Sequence, residues 1–308
     1  MGIVVLGAVF VDIKGHPYGQ YIPNGRNSGE VEEVHGGVSR NICEDIANVE
    51  LRPTFISVVD HSDLSDGVLK KLDRHKVNTK YIRRTDHGLG TWLAIFNNEG
   101  DVEASISDRP DLSEIYNILK EQGDEIFSKA DSIVVEIDME DNILNKVFEL
   151  ADKYGKTVYA AVSNMSIAME RRDLIKRTGC LVCNEEEAGL LFSDDYSNIA
   201  PDILSSVILR KIRSARIKAM VVTLGPRGSV YAKANGEHGV CPAINTPVVD
   251  TAGCGDAFFA GVTIGLTYGK TLQQSCAIGT RLASAVIATT ENVCPRFMPQ
   301  EFGLCIKK

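Results

Sequence analysis

Residues 250–261 read DTAGCGDAFFAG. The residues before them, Ile244 to Val249, have extended character, and the small apolar residues from Ala257 onward have helical spacing. The glycines are therefore expected where a strand turns into a helix. The first amides of a helix have no intrahelical partner and point along its axis. The positive end of the helix dipole adds to them. Glycine lets an anion come close to such a backbone. Asp256 stands at the same point. A carboxylate beside an anion is unfavourable unless it has a task, such as accepting a proton. The alternative is a helix start with Asp256 as its cap.

Other places have residue types suited to the same chemistry. Asp12 follows the first β-type run and is placed to accept hydrogen bonds from a diol. Gly36 and Gly37 lie in HGGVSRN, where Asn41 offers both a donor and an acceptor to a hydroxyl-rich ligand. Asn184 and Glu187 open a helix after a strand, and Glu187 is a candidate for Mg2+ through water. Acids favoured by the dipole of a first helical turn explain the same run. Thr223, Gly225 and Gly228 form a glycine loop between two strands, suited to nucleotide phosphate or ribose. The chain contains no G-x-x-x-x-G-K-[ST] and no G-x-G-x-x-G after the first strand. Those absences argue against a Walker A site and a dinucleotide oxidoreductase.

These residues need a frame. β-rich runs recur at 3–6, 54–59, 132–137, 157–162, 180–183 and 219–224. Between them, Ile42, Cys43, Ile46, Ala47 and Val49 share one helical face, as do Ile143, Val147, Leu150 and Ala151. Strand alternating with helix implies an α/β fold, a mainly parallel sheet covered on both faces. Two stretches interrupt the alternation, about 12–35 and 78–108. The second contains TWLAIFNNEGDVEASIS, a hairpin pattern. Both are expected to project as a small β-strand lid on a single domain spanning 1–308. A lid excludes water from a phosphoryl transfer. Residues 275–290 read as a buried helix.

Composition is ordinary for a globular chain, with 44% hydrophobic and 24% charged residues. A net charge of −8 gives no general attraction to nucleic acid or an anionic membrane. No apolar run approaches the ~18 residues of a membrane span. MGIVVLGAVFVD has no basic leader and reads as a first strand. The eight cysteines are expected as reduced thiols in the cytoplasm, Cys180 and Cys183 included.

In order, these stretches resemble the ribokinase family, also called the phosphofructokinase-B family of carbohydrate and nucleoside kinases. DTAGCGDAFFAG is similar to its C-terminal signature and HGGVSRNICEDIANVE to its N-terminal one. The resemblance implies a ribokinase-like fold and an ATP-dependent transfer to a hydroxyl. It implies Asp256 as general base and an anion hole from the amides of Ala252, Gly253, Cys254 and Gly255. It assigns Asn184 and Glu187 to Mg2+ and phosphate, and Thr223, Gly225 and Gly228 to the nucleotide. Asp12, Gly36, Gly37 and Asn41 would hold the acceptor. Asp250 matches a ligand of a monovalent cation, such as K+. GGVSRNI is close to the motif of pseudouridine kinases, and the hairpin ending at Asp108 resembles that subfamily's. Pseudouridine is therefore the expected acceptor, through its 5′-hydroxyl, with Asp108 or the lid backbone reading the base. A free sugar such as ribose or fructose is the alternative, and a non-catalytic binding protein a more distant one. The lid strands are expected to meet a second copy in a homodimer.

Overall fold

The computed structural model describes residues 2–99, 102–162 and 164–304. The β-rich runs become strands of one nine-stranded sheet, ordered β13-β12-β11-β10-β9-β8-β1-β4-β5. These are β1 (Ile3–Leu6), β4 (Thr54–Val59), β5 (Asn78–Arg84), β8 (Ser132–Glu136), β9 (Val158–Ala161), β10 (Leu181–Asn184), β11 (Ala219–Thr223), β12 (Ser229–Lys233) and β13 (His238–Cys241). Pairing is parallel from β5 to β11 and antiparallel at β12 and β13. β1, β4 and β8 are buried along their whole length, as strands covered on both faces must be. One apolar core packs α3 (Ser113–Lys129), α4 (Asp141–Tyr154) and α8 (Pro201–Ala215) on one face. The other packs α1 (Val38–Asn48), α2 (Asp63–Arg74), α9 (Cys254–Thr267) and α10 (Leu272–Ile287). The helical face expected from Ile42, Cys43 and Ile46 is fully buried.

The lid is a separate four-stranded sheet, β3-β2-β6-β7. It comprises β2 (Phe10–Pro17), β3 (Gly29–Gly36), β6 (Gly90–Phe96) and β7 (Val102–Asp108). Its first arm thus begins at Phe10, slightly before the expected boundary. Its second arm begins at Gly90, because β5 belongs to the main sheet, parallel to β4. Tyr81 explains the difference, since it is buried in the main core. The hairpin at 91–108 forms as expected, although its turn residue Gly100 lies outside the described residues.

The extended run at 244–249 does not form a strand. Pro247 lacks an amide donor, and Ile244, Val248 and Val249 are exposed. The chain reaches α9 through a loop, anchored where Val249 N donates to Ile287 O at 2.8 Å. α9 and α10 pack closely through Gly261 and Gly279. That pairing brings the chain after α10, residues 289–294, beside the start of α9.

Candidate active site

Strands β1 and β8 end side by side in the sheet, and a cavity is built over their ends. Asp12 lies on β2, opposite Val34 of β3 and Trp92 of β6. Gly36 ends β3, and a Cβ there would land on both oxygens of the Asp12 carboxylate. Only glycine lets the two strands place that carboxylate at the mouth of the α1 turn. Gly37 then caps α1 with φ 96°. One turn on, Asn41 Nδ2 donates to Asp256 Oδ2 at 2.7 Å. Residues far apart in sequence are thus joined directly. Asn41 Oδ1 is buried without a protein partner.

Asp12, Gly37, Asn41 and Asp256 line one cavity of about 470 Å³. Phe10, Trp92 and Met139 give it apolar walls, and Glu136, Asp138 and Arg109 give it charge. Glu136 Oε1 accepts from Ser39 N at 3.0 Å and Ala8 N at 3.3 Å, so it caps the start of α1. Burial pushes the Asp256 carboxyl up to about 6, against the Asn41 hydrogen bond and the Arg40 charge, with Asp12 adding to the rise. That value suits a group that must be ionised near neutrality and then hold a proton. Burial also raises Asp12, opposed by Lys14 and Arg40. It raises Glu136 to about 7, with help from Asp138.

The phosphoryl side follows the loop into α9. Asp250 Oδ1 accepts from Ala252 N at 2.9 Å. Cys254 N donates to Thr251 O at 3.3 Å. Of the amides expected in an anion hole, Ala252 and Cys254 are therefore engaged within the turn, which is a correction to the sequence reading. The Gly255 amide faces the Cys254 sulfur, a weak acceptor. Gly253 has φ 76°, and a Cβ there would strike Asn292 O. Burial and the neighbouring Asp256 push the Cys254 thiol up, so it stays neutral beside the anion position.

Asn184 and Thr223 sit side by side at the ends of β10 and β11. Asn184 Oδ1 accepts from Glu187 N at 2.8 Å, and Asn184 N donates to Glu187 Oε2 at 2.8 Å. This capping box opens α7 (Glu185–Phe192). It realises the structural alternative and leaves Glu187 Oε1 outside the box. Burial raises the Glu187 carboxyl, opposed by the Asn184 hydrogen bond. Gly225 and Gly228 flank a short 3-10 turn after β11, both at positive φ. Arg227 of that turn pairs with Glu185 at 2.5 Å. None of these residues lines the acceptor cavity.

Asp108 is corrected. It pairs with Thr91, whereas Ser107 pairs with Trp92. Side chains alternate along a strand, so Asp12, Trp92 and Ser107 share the cavity face and Asp108 takes the opposite one. Ser107 and Arg109 line the cavity in its place. Sequence reasoning also missed Glu136, Asp138 and Trp92. Glu136 could have been found, since it ends a β-rich run at the edge where open α/β sheets bind ligands.

A family model for pfkB family carbohydrate kinases matches residues 2–294. The chain is 30% identical over 292 residues to a guanosine-inosine kinase of Exiguobacterium acetylicum, covering 94% of this chain and 95% of that one. It is 22% identical to the pseudouridine kinase of Escherichia coli, covering 84% and 82%. An Arabidopsis thaliana ribokinase complexed with ribose and ATP superposes with a TM-score of 0.85 at 20% identity, covering 97% of each chain. The fold is ribokinase-like. The chain belongs to the pfkB family carbohydrate kinases, and it is an ATP-dependent phosphotransferase acting on a sugar or nucleoside hydroxyl.

Proposed function

We propose that the chain phosphorylates the 5′-hydroxyl of a nucleoside whose base carries an N–H next to a C=O. One observation carries this reading. The cavity holding Asp256, Asp12 and Asn41 is also lined by Trp92, Phe10 and an Arg109–Asp138 pair at 3.2 Å. Asp12 and Asn41 suit a ribose diol, the aromatic walls suit a flat base, and a free pentose leaves those walls and the Arg109–Asp138 pair without a role. A guanidinium beside a carboxylate complements a carbonyl beside an N–H. Guanine, hypoxanthine, uracil and pseudouracil have such an edge, and adenine does not.

The guanosine-inosine kinase relative supports guanosine and inosine as acceptors. Pseudouridine is the second reading, supported by the GGVSRNI motif and the Escherichia coli relative. In the reaction, Asp256 takes the 5′-hydroxyl proton as that oxygen attacks the γ-phosphorus of ATP, the bond from that phosphorus to the β–γ bridging oxygen breaks, and ADP leaves. The amides of Gly253 and Gly255 stabilise charge on the transferring group. ATP lies along the Thr223, Gly225 and Gly228 side. No group of three or more metal-ligating side chains occurs among the described residues. Glu187 would hold Mg2+ through water, and the ion would neutralise phosphate charge. Asp250 has one oxygen in its turn and a second for a monovalent cation. A panel of guanosine, inosine, pseudouridine, uridine, adenosine, ribose and fructose 6-phosphate tests the reading. Turnover is expected with the first four and weakest among the nucleosides with adenosine. Turnover confined to the sugars would overturn it.

A homodimer through the lid belongs to the same proposal. Leu93 of β6 and Ile106 of β7 face each other on the side away from the cavity, and Ile95 and Val31 extend the row. Val31 and Ile106 are 69% and 68% exposed. A second copy would cover this apolar face and the open edges of β3 and β7. Light scattering should show a dimer that Ile106→Asp converts to monomers, and a wild-type monomer would refute it. No helix among the described residues is long and apolar enough to cross a membrane. The seven cysteines described are free thiols, which supports a reducing compartment such as the cytoplasm.

A further inference from the structure

Arg40 stands immediately before Asn41 and is fully enclosed. Its guanidinium is engaged on three sides. Nη1 donates to Glu44 Oε2 at 2.7 Å, Nε to Gly36 O at 3.2 Å, and Nη2 to His35 O. The His35 carbonyl also accepts from Asn292 Nδ2 at 2.6 Å. Asn292 in turn presents its own carbonyl to Gly253. Asn292 therefore touches both parts, the turn before α1 by a hydrogen bond and the 250–256 loop by the close approach of its backbone oxygen to Gly253.

We infer that Arg40 is a positioning residue for phosphoryl transfer. By clamping the carbonyls of His35 and Gly36, it holds the turn carrying Gly37 and Asn41 in register with the 250–256 loop. The inference rests on reading the cavity as the acceptor site. A turn with two glycines is loose by itself, because glycine restricts its backbone least. The planar fork of arginine reaches both carbonyls and Glu44 together, which a lysine cannot do. Glu44 fixes the guanidinium from behind, and its Oε1 lies 3.3 Å from Lys71 Nζ of α2. Glu44 and Lys71 meet in a polar cavity of about 480 Å³ on the far side of α1. The charged and titratable groups acting on Asp256 are Asp12 from β2, Arg40 and Asp45 from α1, and Cys254 from its own helix. Among them Arg40 is the cation, and it favours the Asp256 carboxylate. Arg40 thus holds the acceptor turn and also opposes the rise that burial imposes on Asp256.

Steady-state kinetics of Arg40→Lys and Arg40→Met, followed across pH, separate these effects. Both variants should raise the KM of the acceptor about tenfold, as loss of a charge-assisted contact does, with the KM of ATP unchanged. Arg40→Lys keeps a cation near Asp256, so the acid limb of kcat/KM should stay in place. Arg40→Met should move that limb upward by about one pH unit. Should Arg40→Met fail to fold, Glu44→Gln keeps the cation and slackens its hold, and a raised acceptor KM is expected there too. A wild-type acceptor KM in Arg40→Lys would overturn the inference. So would equal losses for both substrates with an unmoved acid limb, which is what a merely structural residue gives. Asp256→Asn is the control. If it is inactive while the Arg40 variants behave as wild type, this inference alone fails. If the wild type phosphorylates no member of the panel, the reading of the cavity fails first.

Discussion

Asp256→Asn should bind nucleoside and ATP and turn over at least about a thousandfold more slowly, near the upper range for loss of a general base. Asparagine keeps an acceptor oxygen for Asn41 Nδ2, so the cavity should keep its shape. The variant should also be more stable than the wild type. Burial raises the folded carboxyl from 3.8 to about 6. The folded state then binds more protons than the unfolded chain between these values, and stability falls as pH rises through them. Below about pH 4 both states are protonated and the variant gains nothing. Above about pH 6 the full penalty of a buried carboxylate is removed, about 1–3 kcal/mol. Thermal unfolding at two pH values checks this, with a higher midpoint for the variant at pH 8 and coincident midpoints at pH 4. In the wild type, kcat/KM should fall as pH drops through about 6. A variant that keeps turnover, or an acid limb well below that value, would remove Asp256 as the base.

Gly253→Ala should be damaging to both fold and rate. The residue is in the left-handed region, and its Cβ would strike the backbone oxygen of Asn292. Backbone on both sides leaves no flexible atom to yield. The loop must shift, which turns the Gly253 amide away from the phosphoryl group. Loss of one preorganised donor costs about 10²–10³ in kcat, and the strain should cost about 1–3 kcal/mol of stability. Gly255→Ala is the contrasting case. A Cβ there meets open space, so stability should hold. Turnover should still fall, because that space is where the transferring group must lie. Paired melts and initial rates for the two variants test this. An active Gly253→Ala would mean that the anion hole lies elsewhere.

The parallel sheet was legible because its strands are short apolar runs alternating with helical faces. Two local readings failed for physical reasons. The run at 244–249 has strand-like residues, yet Pro247 and the lack of a neighbour leave it exposed. β5 is amphipathic and looked like part of the lid, but buried Tyr81 ties it to β4. In the site, Asp12, Asn41 and Asp256 were legible because acids and amides beside glycine turns are unusual. Asp108 was misplaced because one residue along a strand reverses the face, and the register with Trp92 is not visible before the strands pair. Ala252 was miscounted because Asp250 takes its amide, an interaction of near neighbours that the motif does not reveal. The enclosure of Arg40 was not legible, since a buried arginine looks in sequence like any helix cation.

The most direct measurement is of the product formed from inosine and ATP in the presence of Mg2+, analysed by mass spectrometry and phosphorus NMR. The account predicts a monophosphate on the 5′-oxygen, formed by the wild type and not by Asp256→Asn. ATP consumption with free ribose or fructose 6-phosphate, and none with any nucleoside, would contradict it.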